Sequence, residues 1–161
     1  MMSSAMNNSA AQSDVNSSIA TPTAHYIPTR RSGKTLYISG QVPKEAGTVR
    51  FIGRLGDTLT VEEGQAAARL CAVNVIAQLR AALGERTDLI VTCLRVRGFV
   101  NATPDFKEHA AVINGASDLL VEVLGEQGRH SRTAIGVSSL PHGCAVEIDA
   151  DFEVLDPSSA G

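Results

Sequence analysis

Residues 129–154 read RHSRTAIGVSSLPHGCAVEIDADFEV, and the fold turns on this stretch. Its side chains alternate with the period of two that marks half-buried strands. In the first half, Thr133, Ile135 and Val137 alternate with Arg132, Ala134, Gly136 and Ser138. In the second, Cys144, Val146, Ile148, Phe152 and Val154 alternate with Ala145, Glu147, Asp149, Asp151 and Glu153. Between them stand Leu140, Pro141, His142 and Gly143, a turn composition in which Pro fixes φ and Gly allows positive φ. The expected unit is a hairpin. With its turn centred between Pro141 and His142, Gly136 faces Glu147 and Arg132 faces Asp151. Paired residues share a face, so Arg132 and Glu147 are expected to project to the same side. An offset of about four residues, at ~3.3 Å each, separates them by roughly 13 Å. That is too far for one ion pair, and a pocket that used both would need a second subunit.

The chain around this stretch has 161 residues, a length that suits one domain. Residues 21–156 are expected to form it, between a flexible tail at 1–20, rich in Ser, Asn and Ala, and a short C-terminal tail at 157–161. A hydrophobic share of 43% can supply a core, and with only 4% aromatics and no Trp that core is aliphatic and rich in alanine. The net charge of −3 disfavours a nucleic-acid binder that relies on a general basic surface. Cys71, Cys93 and Cys144 are dispersed and odd in number, which suits reduced thiols in a cytoplasmic protein. No apolar run suggests a membrane span, and the N-terminus lacks the basic and apolar regions of a secretory signal.

Residues 26–41 read as two short strands about a turn at Arg31, Ser32, Gly33 and Lys34. The second strand stops at Ser39-Gly40-Gln41, where Gly40 marks either a close backbone approach by a ligand or a bulge or strand end. A Gly-rich connection follows at 43–59, in which Phe51 and Ile52 can add a short edge strand. Thr60-Val61-Glu62-Glu63 is a capping box that opens a helix running to about Leu83 and stopping at Gly84. Residues 89–100 form a strand. Thr103 and Pro104 supply the cap and first turn of a second helix that reaches Leu124, with a kink or an irregular first segment expected at Asn114-Gly115. Strands and helices are segregated, which argues an α+β fold: a mixed sheet with two helices on one face.

On the hairpin reading, Thr133, Ile135, Val137, Val146, Ile148 and Phe152 face the helices. The other face carries Arg132, Ala134, Gly136, Ser138, Ala145 and Glu147, small residues with a few charges, which suits a sheet-to-sheet contact between subunits better than a solvent face. Arg132 can clamp a carboxylate through two parallel hydrogen bonds, or pair with Asp149, Asp151 or Glu153. Glu147, among small residues, is either a proton carrier with a raised pKa or one more acid on an acidic strand. His130 is either an aid at the mouth of the pocket or a surface histidine. His25, His109, His130 and His142 lack metal-ligand spacing, and no dinucleotide, zinc-protease or serine-hydrolase motif is present. The residues support a small site for an anionic ligand, with no cofactor.

With these residues in view, the chain resembles the RidA/YjgF-like proteins, reactive-intermediate deaminases also known as translation inhibitors or L-PSP endoribonucleases. The resemblance covers about residues 24–154. It rests on RTAIGV at 132–137, LP at 140–141, VEI at 146–148 and SGQVP at 39–43. It implies a chorismate-mutase-like α+β fold assembled as a homotrimer, with sheets facing inward and clefts between subunits. It also implies cofactor-free hydrolysis of 2-imino acids, or their enamine tautomers, to 2-oxo acids and ammonia. The family's carboxylate-binding arginine matches Arg132, and its water-positioning glutamate matches Glu147, fifteen residues later. Tyr26, Ser39, Gly40 and Asn114 match the other substrate-binding positions. The partners implied are a small carboxylate substrate and two further copies of the chain; the sequence argues against a membrane partner, and its charge against nucleic acid. The frequent cysteine two residues after the arginine is Ala134 here, and the segments around Asn114 and 125–130 mark a divergent subgroup. The competing functions are a non-catalytic carboxylate-binding or chaperone-like protein and, against the charge argument, a ribonuclease.

Overall fold

A helix that starts and stops on local chemistry organises one face of the sheet. In a computed structural model, which describes residues 25–159, helix α1 spans Val61–Leu83. The Thr60 hydroxyl accepts from the Glu63 amide at 3.2 Å, and the Glu63 carboxylate accepts from the Thr60 amide at 2.8 Å. Both orphan donors at the helix start are thereby satisfied. Gly84, at φ 62°, ends it. By length and composition α1 could cross a membrane, contrary to the expectation of no such run, but it is a core helix: Ala68, Cys71, Ala72, Val75 and Leu79 are buried in the common core. The predicted tail at 1–20 lies outside the described residues, and Pro157–Ser159 form a single 3-10 turn.

The sheet contains β1 (Thr29–Ser32), β2 (Thr35–Gln41), β5 (Ile90–Asn101), β6 (Ser131–Val137) and β7 (Val146–Leu155), in the order β1-β2-β7-β5-β6. Two-residue strands β3 (Lys44–Glu45) and β4 (Thr48–Val49) pair separately. The expected edge strand at Phe51 and Ile52 is reduced to one bridge between Ile52 and Cys144. All pairs in the large sheet are antiparallel except β5 with β6. Helix α2 (His109–Leu124) is the crossover that this parallel pair requires. Both helices pack on one face of the sheet.

The predicted hairpin does not form. Because α2 returns the chain parallel to β5, β6 occupies the free edge of β5, and β7 pairs on its other side. The linker passes round the end of β5: the Ala102 amide donates to Val137 O at 3.3 Å and the Asn101 amide to Ala145 O at 2.8 Å. The Pro141–Gly143 turn is present, with His142 at φ 59°, but it joins strands that do not touch. Across the sheet Glu147 is level with Phe99 and Ile135, and Ala150 with Val96 and Arg132. Thr133, Ile135 and Val137 therefore share the open face with Glu147, whereas Arg132, Ala134 and Gly136 lie on the helix side. This reverses the expected faces of β6. A tight turn fixes the phase of two strands only when they pair; with β5 between them each phase is set by its own neighbours. On the helix side Gly136 makes room for His109, whose Nε2 would be 2.6 Å from an added Cβ.

Helix α2 also departs from expectation. Thr103 and Pro104 begin a separate turn, closed by the Phe106 amide on Thr103 O at 3.1 Å, and the helix starts at His109. It runs unbroken through Asn114 and Gly115. Gly115 is a contact point: a Cβ there would stand 2.1 Å from the backbone oxygen of Gln65 on α1. Gly115→Ala should gain ~1 kcal/mol of intrinsic helix propensity. It should lose more, because two helix backbones must separate and overpacking costs about 1–3 kcal/mol. The expected result is a thermal midpoint several degrees below wild type; an unchanged or higher midpoint would refute the close-packing account.

Candidate functional site

Two polar clusters stand out, and the sheet separates them. The first is built on an irregularity in β2. Its register against β7 shifts between Ile38 and Gln41, so Ser39 and Gly40 leave the ladder. The bulge reading of Gly40 holds, and the absent side chain also admits a neighbouring side chain. That neighbour is Glu147, whose Oε1 would be 2.2 Å from a Cβ at Gly40. Burial, and then the charge of Asp149, raise the Glu147 carboxyl above its ordinary value. The Ser39 hydroxyl donates to Ile27 O at 2.7 Å and the Ser39 amide to Pro28 O at 2.9 Å. These bonds draw the segment after Tyr26 along the bulge, and Tyr26 itself is 55% exposed.

The second cluster is on the helix side of edge strand β6. The Arg132 guanidinium reaches α2, where Nη1 donates to Asn114 Oδ1 at 2.8 Å and Ser117 Oγ at 3.1 Å, and Nη2 donates to Ala110 O at 3.3 Å. Three of its five N–H donors are thus engaged. Nε–H and one Nη2 proton remain, the pair that a carboxylate fork uses. His130 joins the cluster, with Nε2 at 2.9 Å from Ser117 Oγ and Nδ1 at 2.6 Å from Gly128 O.

The structure thus brings Arg132 to Asn114, and Glu147 to Gly40 beside Ser39. It does not bring Arg132 and Glu147 together: they lie on opposite faces, two strands apart. The alternative ion pairs of Arg132 are also absent: Asp149, Asp151 and Glu153 project to the open face, away from Arg132, and Arg97 takes the first two. Its Nη atoms meet Asp151 at 2.9 and 3.1 Å and its Nε pairs with Asp149 on the open face. Ser117 and its link to His130 were not foreseen, although Asn114 and Ser117 are three apart and so share a helix face. Cys71, Cys93 and Cys144 are buried free thiols, and burial pushes Cys144 up to about 11 and Cys93 to about 12. Among the described residues no three of His, Cys, Asp and Glu gather as metal ligands.

A mixed sheet backed by two helices, with one polar cluster on each side, defines a single α+β domain of chorismate-mutase-like architecture. The family model described as "YjgF/chorismate mutase-like, putative endoribonuclease" matches residues 8–151, and the chain belongs to this family. Protein TCP17 of Trypanosoma cruzi is 48% identical over 136 residues, 84% of each chain. Among solved structures, Atu1372 of Agrobacterium tumefaciens is 47% identical, covering 82% of this chain and 83% of its own, with a TM-score of 0.78. RidA from an Antarctic Psychrobacter is 25% identical, covering 83% of this chain and 91% of its own, with a TM-score of 0.55.

Proposed function

We propose that the protein hydrolyses 2-imino acids, or their enamine tautomers, to 2-oxo acids and ammonia, at clefts between the subunits of a homotrimer. The observation that carries this reading is the division of the site. Arg132 presents an unoccupied N–H fork on one side of the sheet, and a carboxyl of raised pKa stands at the Gly40 backbone on the other. One subunit would supply Arg132 and Asn114, and its neighbour Glu147, Gly40, Ser39 and Tyr26. The open sheet face suits the contact between them: Ile135 and Tyr37 are 45% and 46% exposed there, around the paired charges of Arg97, Asp149 and Asp151.

In this scheme Arg132 holds the substrate carboxylate and sets the imine carbon near Glu147. The ionised carboxylate takes a proton from water as the water oxygen bonds to that carbon. That proton passes to nitrogen to give the carbinolamine; the carboxylate then carries the hydroxyl proton to nitrogen in turn, the C–N bond breaks, and ammonia leaves as the carbonyl forms. No redox partner is required. The test is to generate imino acid with an amino-acid oxidase and follow its loss against a trapping agent. A rate no faster than buffer, across several amino acids, would refute the activity. Saturable binding of 2-oxo acids without turnover would point to a carboxylate-binding protein, and RNA cleavage abolished by Glu147→Ala to a ribonuclease.

The raised carboxyl gives a pH expectation. The ionised form acts as base, so the acid limb of kcat/KM should lie above the ordinary Glu value of ~4.3. For stability the sign follows from the same shift. A carboxyl whose folded pKa exceeds its unfolded value contributes stability below the unfolded pKa, and that contribution is lost as pH rises through the folded one. Glu147→Gln should therefore melt higher than wild type at neutral pH, with the difference shrinking towards pH 4. A destabilised Gln variant at neutral pH would contradict the burial argument.

A further inference from the structure

We infer that Ser117 and His130 are positioning residues, forming a hydrogen-bond relay that fixes the Arg132 guanidinium before any ligand arrives. The inference rests on reading Arg132 as the carboxylate clamp. With the imidazole neutral, the direction of every bond follows from chemistry. Gly128 O can only accept, so the proton of the neutral imidazole is on Nδ1, which donates to it across 2.6 Å. Nε2 is then an acceptor, and the Ser117 hydroxyl donates to it across 2.9 Å. With its proton so directed, Ser117 Oγ turns a lone pair to Arg132 Nη1 at 3.1 Å. The relay thus runs from Arg132 through Ser117 and His130 to Gly128.

Its far end is rigid. Gly128 is buried in the 3-10 turn Gly125–Gly128, and a Cβ there would stand 2.3 Å from Leu120 O, so the turn is packed directly on the α2 backbone. Asn114 and Ser117 come from one face of α2, and Ala110 O from the same helix. The clamp is therefore referenced to α2 and to the turn that follows it, not to its own edge strand alone. Such anchoring matters for a long, flexible side chain. Holding it in place beforehand removes its ordering entropy from the binding step, and it aims the Nε/Nη2 edge outward. A hydroxyl whose proton is drawn to an imidazole is also a better acceptor for a guanidinium N–H.

The experiment uses the full chain, labelled with 15N. His130 should show a protonated Nδ1 and an unprotonated Nε2, and the Arg132 Nη1 protons should exchange slowly. Ser117→Ala and His130→Leu should each speed that exchange and weaken 2-oxobutanoate binding about fivefold, the loss of one modest hydrogen bond. His130→Gln, which restores a neutral acceptor for Ser117, should bring affinity back to within about twofold. An Nε2–H tautomer in the wild type, or Arg132 signals and affinity unchanged in both Ser117→Ala and His130→Leu, would overturn the relay. Failure of Gln to rescue where Leu weakens binding would overturn it too. Relay signals present in a wild-type chain that binds no 2-oxo acid would support the relay and overturn the carboxylate reading instead.

Discussion

Arg132→Ala is expected to lower kcat/KM for 2-imino acids by about a hundredfold or more, while the chain still folds. A guanidinium that binds a carboxylate through two parallel charge-assisted bonds is among the strongest polar contacts available to a side chain. Truncating one partner of such a pair costs about 2–5 kcal/mol, or roughly thirtyfold to several thousandfold. Two further effects act in the same direction. Asn114 Oδ1, Ser117 Oγ and Ala110 O lose the donor they share, and the imine carbon loses the anchor that sets its distance from Glu147. The fold should survive, because Arg132 is half-buried on edge strand β6 and its contacts are polar. Arg132→Lys should recover only part of the loss, since an ammonium is a point charge and cannot form the fork. Initial rates with oxidase-generated imino acid and a thermal melt decide the matter. Full activity in Arg132→Ala would remove the clamp from the mechanism.

Most of this architecture was legible because it is written locally. The capping box at Thr60, the stop at Gly84 and the turn at Gly33 each need only neighbouring residues, and the alternation in β7 matches its observed burial from Val146 to Leu155. What was not legible depends on partners far along the chain. The phase of β6 is set by β5 and α2, so the local turn at Pro141 pointed to a pairing that the crossover forbids. Gly115 resembled a helix breaker in isolation, and only the approach of Gln65 shows it to be a packing requirement. The site followed the same division. Arg132, Glu147 and Gly40 stood out as residue types in context, whereas Ser117 acquires meaning only once α2 lies against β6. The two-subunit expectation arose from a hairpin that does not exist, yet it is sharper on the observed fold: if Arg132 and Glu147 serve one site, residues on opposite faces of one sheet cannot share it within one chain.

That condition yields the most decisive expectation. Arg132→Ala and Glu147→Gln, each inactive alone, should recover activity when their subunits are mixed. In the proposed cyclic trimer every cleft would take Arg132 from one subunit and Glu147 from the next. A cleft between an Arg132→Ala subunit that keeps its glutamate and a Glu147→Gln subunit that keeps its arginine contains both native groups. Equal amounts unfolded and reassembled at random place that combination at about one cleft in four, so about a quarter of wild-type activity should return. Mixing without exchange should return none, which separates shared sites from additive residual rates. The double variant, mixed with wild type, supplies the control: an intact cleft then needs two wild-type neighbours, so activity should fall with the square of the wild-type fraction. Sedimentation should show trimers in every mixture. A monomer in solution, or exchanged mixtures that stay at background while both parents remain folded, would show that the two half-sites do not meet across a subunit boundary.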